Sequence, residues 1–345
     1  MRAAILEEIG KLVIKDIPQP KAKEDTIVIK VDSCAVCGTD IKVYHHGHRM
    51  IRPPRVTGHE VAGTVVEIGN KIKNIKKGDR VAIAPAIPCG ECYYCVRGIQ
   101  GMCDNLTAIG YHYDGGFAEY MEVPSVAIRN GCVNIIPDNV SFEEASIAEP
   151  LACAINGQEL SGVKLGDVVV VIGAGPLGCF HVELAKAKGA SKTVLVELSS
   201  SRLEMSKRCE ASLFIDSSKE DPVKKVLDAT DGRGADVIIV ACSSGKAQEQ
   251  ALQMIAKRGN INFFGGLPKD KPIINFDSNL IHYKEFYVVG THGSAPRHNV
   301  LALQLISSGR IAVKKYITHH LPVDKVLDGI GLVEKGEGLK VIIKP

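Results

Sequence analysis

Apolar positions change their pattern once along this chain. Over roughly the first 150 residues, short apolar runs recur at Lys11–Ile17, Thr26–Val31, Val61–Ile68, Arg80–Ala84 and Phe117–Val123. Gly69, Gly78 and Pro85 punctuate them, the pattern of an antiparallel barrel or sandwich. After Pro150, strand-like runs alternate with helical ones. Val168–Ile172 precedes a helix near Cys179–Lys188, and Thr193–Glu197 precedes Ser201–Cys209. Asp236–Ala241 precedes a helix over Ala247–Lys257, then a strand over Asn260–Phe264. In that helix Ala251, Leu252, Ile255 and Ala256 fall on one face. A strand at Phe286–Val289 and a helix at Val300–Ser307 follow. Strands alternating with helices of this length predict βαβ units and a parallel sheet. The predicted class is α/β, with a β-rich part to about residue 150, a doubly wound part over 151–292, and a return after residue 292.

Length agrees with this division, since 345 residues suggest about two domains at roughly 150 residues each. Lys and Arg total 42 against 39 Asp and Glu, and a net charge of +3 is too mild for a dedicated nucleic-acid binder. Trp is absent and aromatics are 5%, which argues against a base-stacking platform. The N-terminus carries Arg2, Glu7, Glu8 and Lys11 without the apolar run of a signal peptide. No apolar stretch nears the ~20 residues of a membrane span, so a cytoplasmic protein is expected. In that reducing setting, clusters among the 11 cysteines point to metal or catalysis rather than disulfides.

The run Val168–Ile172 leads directly into Gly173-Ala174-Gly175-Pro176-Leu177-Gly178, where a helix opens. Gly173 permits a tight turn, Gly175 lets backbone approach a pyrophosphate, and Gly178 lets helix and strand pack closely. The helix N-terminus offers N–H groups and a positive dipole end to the phosphates. Glu197, 24 residues after Gly173, closes the next strand and suits the adenosine ribose hydroxyls. A 2′-phosphate there would meet a like charge, so NAD is expected over NADP. Arg202, in the helix that follows, is a further cofactor-binding candidate.

Two constellations point to metal. Cys89, Cys92, Cys95 and Cys103 place four thiols within 15 residues. Four thiolates can close a tetrahedron around Zn²⁺ with no open position, a structural site. Bacterial ferredoxin motifs share the C-x2-C-x2-C start, but put the fourth Cys after three residues and before Pro; here it follows seven and precedes Asp104. A zinc ribbon contacting nucleic acid is a further reading, and Glu91, Tyr93 and Tyr94 within the loop are not basic. The second constellation is Cys37-Gly38-Thr39-Asp40, Gly58-His59-Glu60 and Glu149-Pro150. A thiolate, an imidazole and a carboxylate would hold Zn²⁺ with a fourth position open. Cys34-x2-Cys37 also reads as a redox pair, without the βαβ setting of thioredoxin-like motifs.

Together with Gly78-Asp79-Arg80-Val81 and Gly115-Gly116-Phe117-Ala118-Glu119-Tyr120, these motifs make the whole chain resemble the zinc-dependent medium-chain dehydrogenase/reductase family. The resemblance implies a GroES-like catalytic domain from both chain ends, 1–150 and 293–345, with a structural zinc lobe near 88–104. A Rossmann NAD-binding domain is implied over 151–292. It implies two Zn²⁺ per chain, one structural and one catalytic. Cys37 and His59 match two catalytic zinc ligands, and either Glu60 or Glu149 reaches the metal. Simple alcohol dehydrogenases supply a third Cys where Glu149 stands, whereas Glu at both places looks like the polyol and threonine branches. Ala152-Cys153-Ala154-Ile155 looks closer to sorbitol or iditol dehydrogenases. Oxidation of a polyol's secondary hydroxyl is therefore expected, with Thr39 taking the hydroxyl proton and passing it on through the nicotinamide ribose, and hydride passing to NAD. L-threonine, a sugar-alcohol phosphate or a simple alcohol are the alternative substrates. A zinc-free reductase of the same fold is disfavoured by Cys37 with His59. A small-molecule substrate and a homo-oligomer, a tetramer rather than a dimer, are implied. One departure stands out: many members carry a His five residues after the zinc Cys, and this chain has Lys42, with His45, His46 and His48 nearby.

Overall fold

The computed structural model describes residues 1–345, and they fall into two units. One comprises Met1–Ala152 with Gly293–Pro345, the other Cys153–His292.

The first unit is built on the strand Ile27–Ala35, which is buried along most of its length. It pairs antiparallel with Glu60–Ile68, with Tyr120–Val123 and with the C-terminal strand Lys340–Lys344. The sheet runs Val133–Ile135, Arg80–Ile83, Glu60–Ile68, Ile27–Ala35, Lys340–Lys344, Ile317–Pro322, and its last two strands are parallel. The last residues of the chain therefore lie against its first third. Ile29, Val31, Val61, Val65, Val81, Ile83, Phe117, Val341 and Ile343 form one core cluster. Each such side chain, fully removed from water, contributes about 1.5–3 kcal/mol. Among these strands the helix Gly38–His46 is capped by Cys37, whose sulfur accepts from Thr39 N while Asp40 reaches back to the cap.

The second unit is a six-stranded parallel sheet, in the order Leu213–Asp216, Lys192–Glu197, Val168–Ile172, Ala235–Val240, Ile255–Phe263, Tyr287–Gly290. The order reverses beside Val168–Ile172, and such a switch point opens a crevice at the carboxyl ends of the strands. The helix Pro176–Ala187 starts there with Pro at its first turn, slightly ahead of its predicted start.

One predicted helix is shorter than its periodicity suggests. It spans Gly245–Met254, not Ala247–Lys257, because Ile255 is already extended (φ −78°, ψ 140°). Ile255 pairs with Ala235 and Asn260 with Val237, so residues 256–259 bulge out, with Arg258 in the left-handed region. Ile255 and Ala256 are buried all the same. Their apolar character serves a sheet core, and periodicity alone does not separate that from a helix face. No helix is long and apolar enough to cross a membrane.

Candidate active site and cofactor loop

His59 enters the first unit on the turn before the strand Glu60–Ile68. Gly58 makes that turn at φ +89°, and a Cβ there would lie 2.7 Å from Phe117 and 2.9 Å from Cys34 Sγ. Glu60 opposes Ala35 in the sheet, two residues before Cys37. Register thus brings a thiol, an imidazole and a carboxylate together, and the ligand atoms of Cys37, His59 and Glu60 lie within 4.8 Å of one another. Glu149, in the first turn of the helix Ala148–Ser161, is not one of the three, although its charge bears on Glu60 and Tyr111. Thr39 follows on the capped helix, its Oγ1 3.6 Å from Cys37 Sγ. Lys42 is exposed, and His45 Nε2 lies 3.1 Å from Glu334.

Three residues absent from the sequence-derived list complete this surround. Asp40 is buried; its Oδ2 accepts from Cys37 N at 2.8 Å and its Oδ1 lies 3.7 Å from His59 Nδ1. A carboxylate near one imidazole nitrogen favours the other for a metal, a common support of a ligating histidine. The Tyr111 ring lies 5.7 Å from that of His59 and 5.0 Å from that of His48. Lys340 is buried and pairs with Glu60 Oε2 while donating to Val36 O at 3.2 Å. Asp40 stands in a quoted motif, but nothing local signals Lys340, 280 residues from its partner.

The electrostatics ask for positive charge. Burial pushes the Glu60 carboxyl up to about 7, against the pull of Lys340. For His59, burial disfavours the charged ring, yet Tyr111 and Asp40 outweigh it and hold the imidazole above its usual range. Glu60 Oε1 is buried with no hydrogen-bond partner. A buried carboxylate oxygen left bare is costly, and a cation beside a thiolate and an imidazole removes that cost. The donor set fits Zn²⁺.

In the lobe, Cys89, Cys92, Cys95 and Cys103 also gather within 4.8 Å. Cys89 Sγ and Cys95 Sγ are 3.9 Å apart, and Cys92 Sγ and Cys103 Sγ 3.8 Å. Sulfurs at about 2.3 Å from one zinc in a tetrahedron are separated by about 3.8 Å. Backbone N–H groups of Cys95 and Asp104 hold the Cys92 thiol down at about 6, while burial pushes Cys103 up to about 12.

In the second unit Gly173 has φ +110°. A Cβ at Gly178 would sit 1.8 Å from Gly173 O, so only glycine lets the helix Pro176–Ala187 start this close to the loop. A Cβ at Gly175 would meet nothing within 4 Å, which leaves that approach open. Pro176 and Leu177 begin the helix. Glu197 accepts from Ala174 N at 2.7 Å and from Leu198 N and Ser199 N at 2.9 Å. Three amides fix its carboxylate at the edge of the loop. Arg202 lies in the first turn of the helix Ser200–Ser206.

Both halves match known families. Residues 23–135 match the alcohol dehydrogenase GroES-like domain, and residues 176–308 match the zinc-binding dehydrogenase family. L-threonine 3-dehydrogenase of Pyrococcus furiosus is 36% identical over 341 residues, 96% of this chain and 94% of the relative. Sorbitol dehydrogenase of Bombyx mori is 32% identical over 349 residues, 99% of this chain and 97% of the relative. A zinc-binding dehydrogenase from Sinorhizobium meliloti, solved bound to NADP, superposes with a TM-score of 0.93 at 30% identity, covering 100% of this chain and 99% of its own. The chain belongs to the zinc-dependent medium-chain dehydrogenase family. It is an alcohol-dehydrogenase-type oxidoreductase that uses zinc and a nicotinamide cofactor.

Proposed function

We propose that the chain reversibly oxidises a secondary hydroxyl of a sorbitol- or iditol-like polyol to a ketone, linked to NAD. Cys37, His59 and Glu60 would hold one zinc, and Cys89, Cys92, Cys95 and Cys103 a second, structural one. When bound, the catalytic zinc polarises the substrate hydroxyl and the nicotinamide accepts hydride. Thr39, at a helix start fixed by the Cys37 cap, would relay the hydroxyl proton, receiving it from the substrate while giving its own onward through the nicotinamide ribose toward solvent. Asp40 orients His59. Glu149 offers acceptor lone pairs to a hydroxyl beside the reacting one. Glu197 reads the adenosine ribose; pinned by three amides, it stays where a 2′-phosphate would sit, which supports NAD over NADP.

The observation that carries the substrate class is the acidic surround. Asp40, Glu60 and Glu149 share one electrostatic neighbourhood, and its buried cation, Lys340, is committed to Glu60. A neutral polyol enters such a site without like-charge cost, whereas zwitterionic L-threonine brings a carboxylate that the surround repels together with an ammonium that it attracts. L-threonine is the second reading, favoured by the Pyrococcus relative. Eleven cysteines, none of them in a disulfide, support a cytoplasmic setting. Apolar side chains on the edge strand Tyr287–Gly290 and on the lobe (Tyr93, Val96, Ile99) are exposed, which supports a homotetramer. Chelation should abolish polyol-dependent NADH formation and added Zn²⁺ should restore it; full activity in metal-stripped enzyme would refute the metal assignment.

A further inference from the structure

A lysine buried beside a candidate metal group is unusual, because burial penalises the ammonium heavily unless it is paired. Lys340 is 2% exposed and Glu60 0%. The C-terminal strand sets this position. Ile342 pairs with Ala35 on one side of the strand Ile27–Ala35, and Glu60 pairs with Ala35 on the other. Val36 N donates to Val341 O at 2.9 Å, which clamps the C-terminal strand beside the segment leading to Cys37. From there the ammonium reaches Glu60 Oε2 and donates to Val36 O at 3.2 Å. The other carboxylate oxygen, Oε1, is left without a partner, in the group that includes Cys37 and His59.

We propose that Lys340 is a positioning residue: it fastens one oxygen of Glu60 so that the other is presented as a single-oxygen ligand to the metal. This rests on the reading of Cys37, His59 and Glu60 as a metal group. With Lys340 absent, Glu60 would be a buried carboxylate free to turn or to engage a cation through both oxygens. Lys340 also donates to the carbonyl one residue before Cys37, so one ammonium spans the segments that supply two of the three ligands. Metal retention at this site then depends on the last strand of the chain, far in sequence from every ligand.

The test uses the full-length protein, stripped of metal and titrated with Co²⁺, with the four-cysteine lobe as an internal control. Outer partners of metal ligands typically contribute 10–100-fold in affinity. Lys340→Met should weaken Co²⁺ binding at the second site by about 10–100-fold and alter its d–d spectrum, leaving the lobe signal unchanged. Lys340→Arg should restore most of the loss. In a Glu60→Gln background the further change Lys340→Met should cost much less than tenfold, because Lys340 acts mainly through that carboxylate and only its contact with Val36 O is left to lose. This neutral pair keeps the test decisive if Lys340→Met alone fails to fold. Wild-type affinity and an unchanged spectrum in Lys340→Met would overturn the proposal. So would a further tenfold loss from Lys340→Met in the Glu60→Gln background. Wild-type protein that loads only the lobe would remove the metal-site reading and the proposal with it, an outcome distinct from two loaded sites indifferent to Lys340.

Discussion

Thr39 has its helix-start position because Cys37 caps the helix Gly38–His46, so the proposed proton acceptor and the proposed metal ligand are positioned by one turn of backbone. Thr39→Val keeps the shape and removes the hydroxyl. It should lower kcat by about 10²–10⁴-fold while zinc content and NADH binding stay normal. Unchanged kcat in that variant would contradict the role. A different single residue bears on stability in acid. His181 is fully buried on the helix Pro176–Ala187, stacked edge-on to Phe264 at 4.6 Å, with neither ring nitrogen partnered. Burial pulls it down to about 3. The unfolded chain takes up this proton below about pH 6.5 and the folded chain only near 3. Its contribution is therefore complete above about pH 6.5 and is lost as pH falls, by about 1.4 kcal/mol per unit at the steepest. His181→Leu should flatten the fall of the urea midpoint between pH 6.5 and 4, measured against wild type. An identical pH profile would show that His181 is not the group responsible.

At the scale of elements, the four-cysteine lobe is the most self-contained feature. Its short helix Tyr93–Val96 and the single turn at Gln100–Met102 supply little core of their own, so a metal held by the four sulfurs, as proposed, would set its shape. Cys95→Ser should lower the melting temperature or weaken assembly while leaving the Cys37 site loaded. One zinc per chain in wild type, kept by the variant at wild-type stability, would contradict a structural zinc in the lobe. The lobe and the glycine loop were legible in the sequence because each is written in adjacent residues: spacing alone brings the thiols together, and Gly173, Gly175 and Gly178 have local backbone reasons. The end of the helix Gly245–Met254 was not legible, since Ile255 and Ala256 satisfy a helix face and a buried strand equally. The helix Gly38–His46 was hidden for the opposite reason. Only one apolar residue in it, Val43, is buried, so it lacks an apolar stripe, and what fixes it is a sulfur cap that propensity does not register.

At the scale of the molecule, the site joins distant segments: Cys37 and Asp40 from one helix start, His59 and Glu60 from the turn into one strand and its first residue, and Lys340 from the last strand. Cys37, His59 and Glu60 were readable as candidate ligand types, but Lys340 was not, because contact across the sheet is set by register rather than by spacing, and Tyr111 stands on a turn that the sequence pattern does not mark. The same surround underlies the proposed chemistry, since a candidate metal group that feels the charges of Asp40, Glu60 and Glu149 would admit a neutral, hydroxyl-rich substrate without like-charge cost. A site that hydrogen-bonds a substrate hydroxyl can reject an analogue lacking it by up to about 10⁴–10⁵-fold. The most direct test is kcat/KM for NAD reduction with sorbitol-like polyols, propanol-like alcohols and L-threonine, measured side by side on one preparation. A polyol should be preferred over both by at least about tenfold. A monohydric alcohol or L-threonine preferred by that margin would contradict it.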